Sequence, residues 1–124
     1  MVGDLSKNFD KKEFVCRGKG CCDHKGQVVP ELVAALQELR DRINKPIHIT
    51  SGFRCPKHNA FVGGDPHSQH MLGKAADIQV VSMDTNLLAI EALNIEAFKQ
   101  GGIGLYGGWV HVDVRGDGPA RWEG

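Results

Sequence analysis

The stretch Trp109-Val110-His111-Val112-Asp113-Val114 alternates without a break between valine and a larger or polar side chain. Successive side chains of a strand point to opposite faces, so the valines line a core while Trp109, His111 and Asp113 share the other face. A strand of this kind needs a sheet to lie in. The preceding Gly101-Gly102-Ile103-Gly104-Leu105-Tyr106 supplies a neighbour, with Gly107-Gly108 as the turn between them.

Upstream, Leu32, Leu36, Leu39 and Ile43 recur at helical intervals behind Pro30, which suits the first turn of a helix running from Pro30 to Asn44. Pro46-Ile47-His48-Ile49-Thr50 alternates as a half-buried strand does and ends at Ser51-Gly52; Ala75 to Val81 reads as a second strand. Between them, Arg54 to Gly73 is polar and broken by Pro56, Pro66 and Gly63-Gly64. It is expected to be loop, with a helical turn around Lys57 to Phe61. Ser82 is expected to cap a helix beginning near Asp84 and running through Leu87, Leu88 and Ala92, which either breaks at Asn94 or continues to Phe98. Asn8 to Phe14 suits one capped helical turn.

A chain of 124 residues is expected to form one domain, residues 1–124, with a core that needs no staples. Its 15 Lys and Arg balance 15 Asp and Glu, so charge gives no reason to expect binding to nucleic acid or an anionic membrane. No apolar run approaches the roughly 20 residues that span a bilayer, and Met1-Val2-Gly3-Asp4 lacks a signal-peptide pattern. The chain therefore reads as soluble and made in the cytoplasm.

A catalytic zinc takes three nitrogen or oxygen ligands and keeps a fourth position open for water. His70, Asp77 and His111 supply that set, and two neutral imidazoles with one carboxylate leave the ion a net positive charge. Gly73 lets the chain turn from a loop carrying His70 into the strand carrying Asp77. Asp113, on the same strand face as His111, is a candidate general base, or an acceptor that orients a histidine. His48 fits the outer face of a strand. His24 and His58 lie in polar segments, with His58 a candidate cleft residue, and Tyr106 and Trp109 fit either cleft walls or ordinary sheet aromatics.

Taken together, Ser51-Gly52-Phe53-Arg54, Asn59 with Val62-Gly63-Gly64, Ser68-Gln69-His70 with Gly73, Ala75, Ala76 and Asp77, and His111-Val112-Asp113 resemble the M15 family of zinc D-Ala-D-Ala carboxypeptidases and related peptidoglycan peptidases, especially its short bacterial and phage members. The likeness runs from about Phe9 to Arg115. It implies an α+β fold of the Hedgehog/DD-peptidase type, a small antiparallel sheet flanked by helices. It further implies Zn2+ on His70, Asp77 and His111, with Arg54 binding substrate carboxylate or main chain and Ser68 near the substrate. Several branches of that family place an acidic base three residues before the last histidine, where this chain has Gly108. Asp113 then becomes the leading candidate for the catalytic base and His67 a distant second.

The implied activity is zinc-dependent hydrolysis of a peptide bond in peptidoglycan stem peptides or cross-links, by a monomer that binds no nucleic acid, inserts in no membrane and acts at the bacterial cell wall. The alternative is a wall-binding or structural zinc module without catalysis. A phage source, with release at lysis, would supply a route to the wall. Cys16, Cys21 and Cys22 near His24 suggest a structural zinc, but their spacing lacks two separated pairs; a disulfide to Cys55, or four reduced thiols, is an equal expectation.

Overall fold

A computed structural model describes residues 3–22 and 27–124; the Met1-Val2 start and His24 lie outside the described residues. Four helices are described, α1 (Pro30–Ile43), α2 (Pro56–Phe61), α3 (Thr85–Ala92) and α4 (Glu96–Lys99), with five strands, β1 (His48–Ser51), β2 (Ala75–Gln79), β3 (Gly102–Leu105), β4 (Val110–Asp113) and β5 (Ala120–Glu123). The strands form one sheet in the order β1-β2-β4-β3-β5, antiparallel except for the β3–β5 pair. This is the expected α+β arrangement. The parallel edge strand β5 was not foreseen.

α1 places Leu32, Leu36 and Leu39 on one buried face, in the same core cluster as Ile49 of β1, Ile78 of β2 and Val110 and Val112 of β4. Each fully buried Leu or Ile of this kind contributes roughly 1.5–3 kcal/mol through removal of apolar surface from water. Asn44 ends α1 in the left-handed region, with φ 53°, and its N–H donates to the Arg40 carbonyl. The N-terminal arm makes the expected turn: a 3-10 turn at Lys11–Phe14 begins where the Asp10 N–H donates to Glu13 Oε2 at 2.7 Å, and Phe9 and Phe14 enter the core.

One expectation is corrected, and an alternative left open by the sequence is resolved. The α3 cap is Asp84, whose carboxylate accepts from the Asn86 N–H at 2.7 Å; Ser82 instead sits in the preceding turn with φ 65°. The helix stops at Ala92, and α4 begins anew at Glu96 so that Phe98 is buried. The segment from Arg54 to Gly73 contains α2 where a helical turn was expected, and also a 3-10 turn at Gln69–Leu72. Among the described residues no helix is long and apolar enough to cross a membrane.

Candidate metal centre

The register of β2 against β4 sets Asp77 directly across from His111. Directly opposed side chains on one sheet face lie within reach of each other, and here the His111 Nδ1 is 3.3 Å from Asp77 Oδ1. His70 arrives from the 3-10 turn just before β2. Gly73 closes that turn at φ 70°, which only a glycine adopts freely, and returns the chain to the strand. His70 Nε2 is then also 3.3 Å from Asp77 Oδ1. One ligand atom from each of His70, Asp77 and His111 lies within 4.8 Å of the others, and all three residues are buried.

The far nitrogen of each imidazole is committed elsewhere. His70 Nδ1 lies 2.7 Å from the Gly52 carbonyl, which can only accept, so Nδ1 carries the proton and Nε2 presents a lone pair inward. His111 Nε2 lies 2.7 Å from Asp113 Oδ2, which leaves Nδ1 facing Asp77. Both rings thus have the tautomer and orientation of metal ligands whose outer N–H is held by an acceptor. The donor set, two imidazole nitrogens and a carboxylate oxygen at a cleft floor, fits a catalytic zinc site with an open position.

Without a metal these groups face one another directly. Burial opposes ionisation of Asp77, but hydrogen bonds from His111 and His70 prevail and hold its carboxyl well below the usual carboxylate range. Burial likewise opposes charge on His111, yet Asp113 and Asp77 beside it raise its pKa above the ordinary value.

Asp113 is fully buried and its carboxylate is taken up on all sides. Oδ1 accepts from the N–H groups of Gly102 and Arg115 at 2.8 and 3.1 Å and from Arg115 Nε at 2.9 Å. Oδ2 accepts from Arg115 Nη2 at 2.7 Å besides His111. Gly102 makes room for this, since a Cβ there would collide with the carboxylate. Asp113 ionises below the usual range: burial opposes this, and the His111 and Arg115 hydrogen bonds outweigh it.

The cleft above the three residues has a volume of about 740 Å³. Arg54 lines it with three of its nitrogens engaged: Nη2 with Asp77 Oδ2 at 3.1 Å, Nε with Ser51 Oγ at 3.2 Å and Nη1 with Asn59 Oδ1 at 3.4 Å. Ser68 also lines it, and its hydroxyl accepts from the His70 N–H at 3.2 Å, so it fixes the turn that carries the histidine. Tyr106 and Trp109 stack at 4.7 Å and form a wall, and His67, Asp65 and Asp117 lie along the rim. His58 is not among the lining residues, and His48 is exposed on the sheet edge.

Two residues of this region were missed from sequence. Trp122 of β5 packs against the His111 ring at 4.9 Å, and Arg115 clamps Asp113 while stacking on Trp122 at 5.2 Å. An acidic residue followed two positions later by arginine is too common a pattern to have signalled the clamp.

Fold and site together define a small α+β chain with a two-histidine, one-carboxylate centre at the floor of a cleft. The chain belongs to the peptidase M15 family, whose sequence pattern matches residues 7–113. Over 89 residues it is 36% identical to the zinc D-Ala-D-Ala carboxypeptidase of Streptomyces albus G, an alignment taking in 71% of this chain and 35% of that protein. The chain thus spans about a third of the length of that relative.

Proposed function

We propose that this chain is a zinc-dependent peptidase that hydrolyses a peptide bond in peptidoglycan stem peptides or cross-links, as a D-Ala-D-Ala carboxypeptidase or an endopeptidase, with the ion held by His70 Nε2, Asp77 and His111 Nδ1. The observation that carries this is the pairing of each inward-facing imidazole nitrogen with an acceptor behind its ring, Gly52 O for His70 and Asp113 for His111. Such outer partners fix a ligand in its metal-binding form. Zinc bound in a site of this type polarises a carbonyl and acidifies a coordinated water. Family membership and the name of the Streptomyces relative support the wall peptide as substrate class.

The residues around the centre divide the remaining work. Arg54 keeps two of its five N–H donors for a carboxylate or main-chain carbonyl of the substrate, while its bond to Asp77 Oδ2 holds the carboxylate ligand in place. Ser68 shapes the cleft beside His70. Of the two roles open to Asp113, its hydrogen bonds favour orienting His111, because no lone pair is left facing the cleft. The proton acceptor then belongs among the carboxylates and imidazole that do line it, Asp65, Asp117 and His67.

Incubation of zinc-replete protein with muropeptides of defined stem composition, read by mass spectrometry, tests the proposal. Release of a terminal alanine identifies a carboxypeptidase, and scission within the stem or cross-bridge an endopeptidase. Either activity must vanish with chelator and return with zinc. Gly108, without a side chain where an acidic residue often stands in relatives, favours a second reading, a wall-binding zinc module without catalysis. Zinc binding with no product after prolonged incubation selects it.

A further inference from the structure

The centre described above uses none of the four cysteines. Their Sγ atoms nevertheless all lie within 4.8 Å of one another, although they come from three separate places in the chain. Cys16 follows the Lys11–Phe14 turn, Cys21 and Cys22 lie in the loop after it, and Cys55 stands immediately before α2. We infer that Cys16, Cys21, Cys22 and Cys55 form a second metal site, a four-thiolate zinc centre that is structural and fastens the N-terminal arm to the residue following Arg54.

The distances carry the argument. Four sulfurs around one zinc at bonds of about 2.3 Å sit about 3.8 Å apart at the corners of a tetrahedron. Cys16 Sγ and Cys21 Sγ are 3.8 Å apart, and Cys21 Sγ and Cys22 Sγ 3.9 Å. A disulfide needs about 2.05 Å, and none of the four is disulfide-bonded, so of the two arrangements that sequence left open the bridge to Cys55 is not formed.

The backbone is shaped around the cluster. A Cβ on Gly18 would come within 2.5 Å of Cys21 Sγ and 3.0 Å of His58 Cβ, and Gly20 turns the chain at φ 64°. Cys55 Sγ accepts from the His58 N–H at 3.4 Å, the kind of backbone donor that stabilises a thiolate ligand. Cys16 and Cys55 are 2% and 5% exposed, so water has little access from that side. A closed set of four soft ligands without an open position is the arrangement of a structural site.

The structural consequence is local. Phe53 N–H already donates to the Phe14 carbonyl at 2.9 Å, and Arg17 Nη2 donates to the Ile49 carbonyl at 3.0 Å. A zinc joining Cys55 to the arm locks the same junction one residue beyond Arg54. Ligation requires deprotonated thiols, so loading releases protons and the bound thiols resist alkylation.

Metal content of the full chain, purified without chelator, tests this independently of any hydrolysis. Wild type is expected to hold two zinc ions per chain and His70→Ala one, while Cys16→Ser with Cys55→Ser is also expected to hold one. Reconstitution of wild type and of His70→Ala with cobalt(II) is expected to give intense thiolate-to-cobalt charge-transfer bands. This reading needs no cysteine variant to fold. A single zinc per wild-type chain that disappears in His70→Ala, cobalt spectra without thiolate bands, or a disulfide in the unreduced protein would each overturn the site. A coloured, iron-loaded protein would overturn its assignment to zinc.

Discussion

Replacing Asp113 by Asn separates an orienting residue from a general base. The substitution preserves shape but exchanges one acceptor oxygen for an amide. If the remaining oxygen stays on the Gly102 and Arg115 N–H groups, the new NH2 faces Arg115 Nη2 and His111 Nε2, both now within 2.7 Å of Oδ2 and both donors. His111 can relieve the clash only by moving its proton to Nδ1, the nitrogen that faces Asp77, and a protonated nitrogen cannot ligate. Loss of an outer partner of this kind typically costs 10–100-fold in metal affinity, about 1.4–2.7 kcal/mol. We predict a weakening at or beyond the upper end of that range, with activity restored in part at high zinc. The assay is zinc competition against a chromophoric chelator, with the zinc lost in His70→Ala defining the share that belongs to this centre. Folding of the variant is checked by urea denaturation, since donors left unpaired cost about 1–3 kcal/mol. Wild-type zinc affinity together with a collapse of turnover would refute the reasoning and return Asp113 to the role of base.

Arg54→Lys keeps the charge but loses the fork that spans Asp77, Ser51 and Asn59. Hydrogen bonds to charged groups contribute about 1.5–3 kcal/mol, so we predict a fall of roughly 10- to 100-fold in kcat/KM on a muropeptide; an unchanged value would remove Arg54 from the site. Phe98→Ala empties a fully buried position of α4 and is predicted to cost about 3–5 kcal/mol in urea unfolding, with a loss below about 1 kcal/mol contradicting the packing described. In the metal-free chain Asp77 and Asp113 ionise below the ordinary 3.8, so their stabilisation is present above that pH and is lost as pH falls through their folded values. The contribution of His111, whose pKa is raised from 6.5, runs the other way: it is present below 6.5 and is lost as pH rises through the raised value. Urea midpoints of chelator-treated protein should therefore drop in acid below about pH 4, and the acid drop should shrink in Asp113→Asn; equal drops in both proteins would contradict the linkage.

Local periodicity is what made much of this molecule readable. The valines of β4 assign its buried face, the same alternation puts His111 and Asp113 side by side, and the Leu spacing of α1 marks its core face. Closure between distant segments was not readable in the same way. Ala120 to Glu123 shows no run of apolar side chains, because β5 is an edge strand with alternately half-buried and exposed residues, so nothing announced that Trp122 covers His111. The hydrogen bonds that favour an orienting Asp113 come from Gly102, 11 positions back, and from an Arg115 fork whose direction depends on packing over Trp122. The gathering of the four cysteines was unreadable for the same reason, since Cys55 meets Cys21 across 34 positions only after β1 has been laid beside the arm. Gly52 to Cys55 is where these closures meet. The Gly52 carbonyl holds His70, Phe53 bonds the arm, Arg54 holds Asp77 and Cys55 joins the thiol cluster. A main chain anchored at four consecutive residues has little freedom left to shift, so the segment that positions the ligand imidazole and carboxylate is held rigid by contacts on its far side, and a substitution among the cysteines should reach the cleft through these four residues.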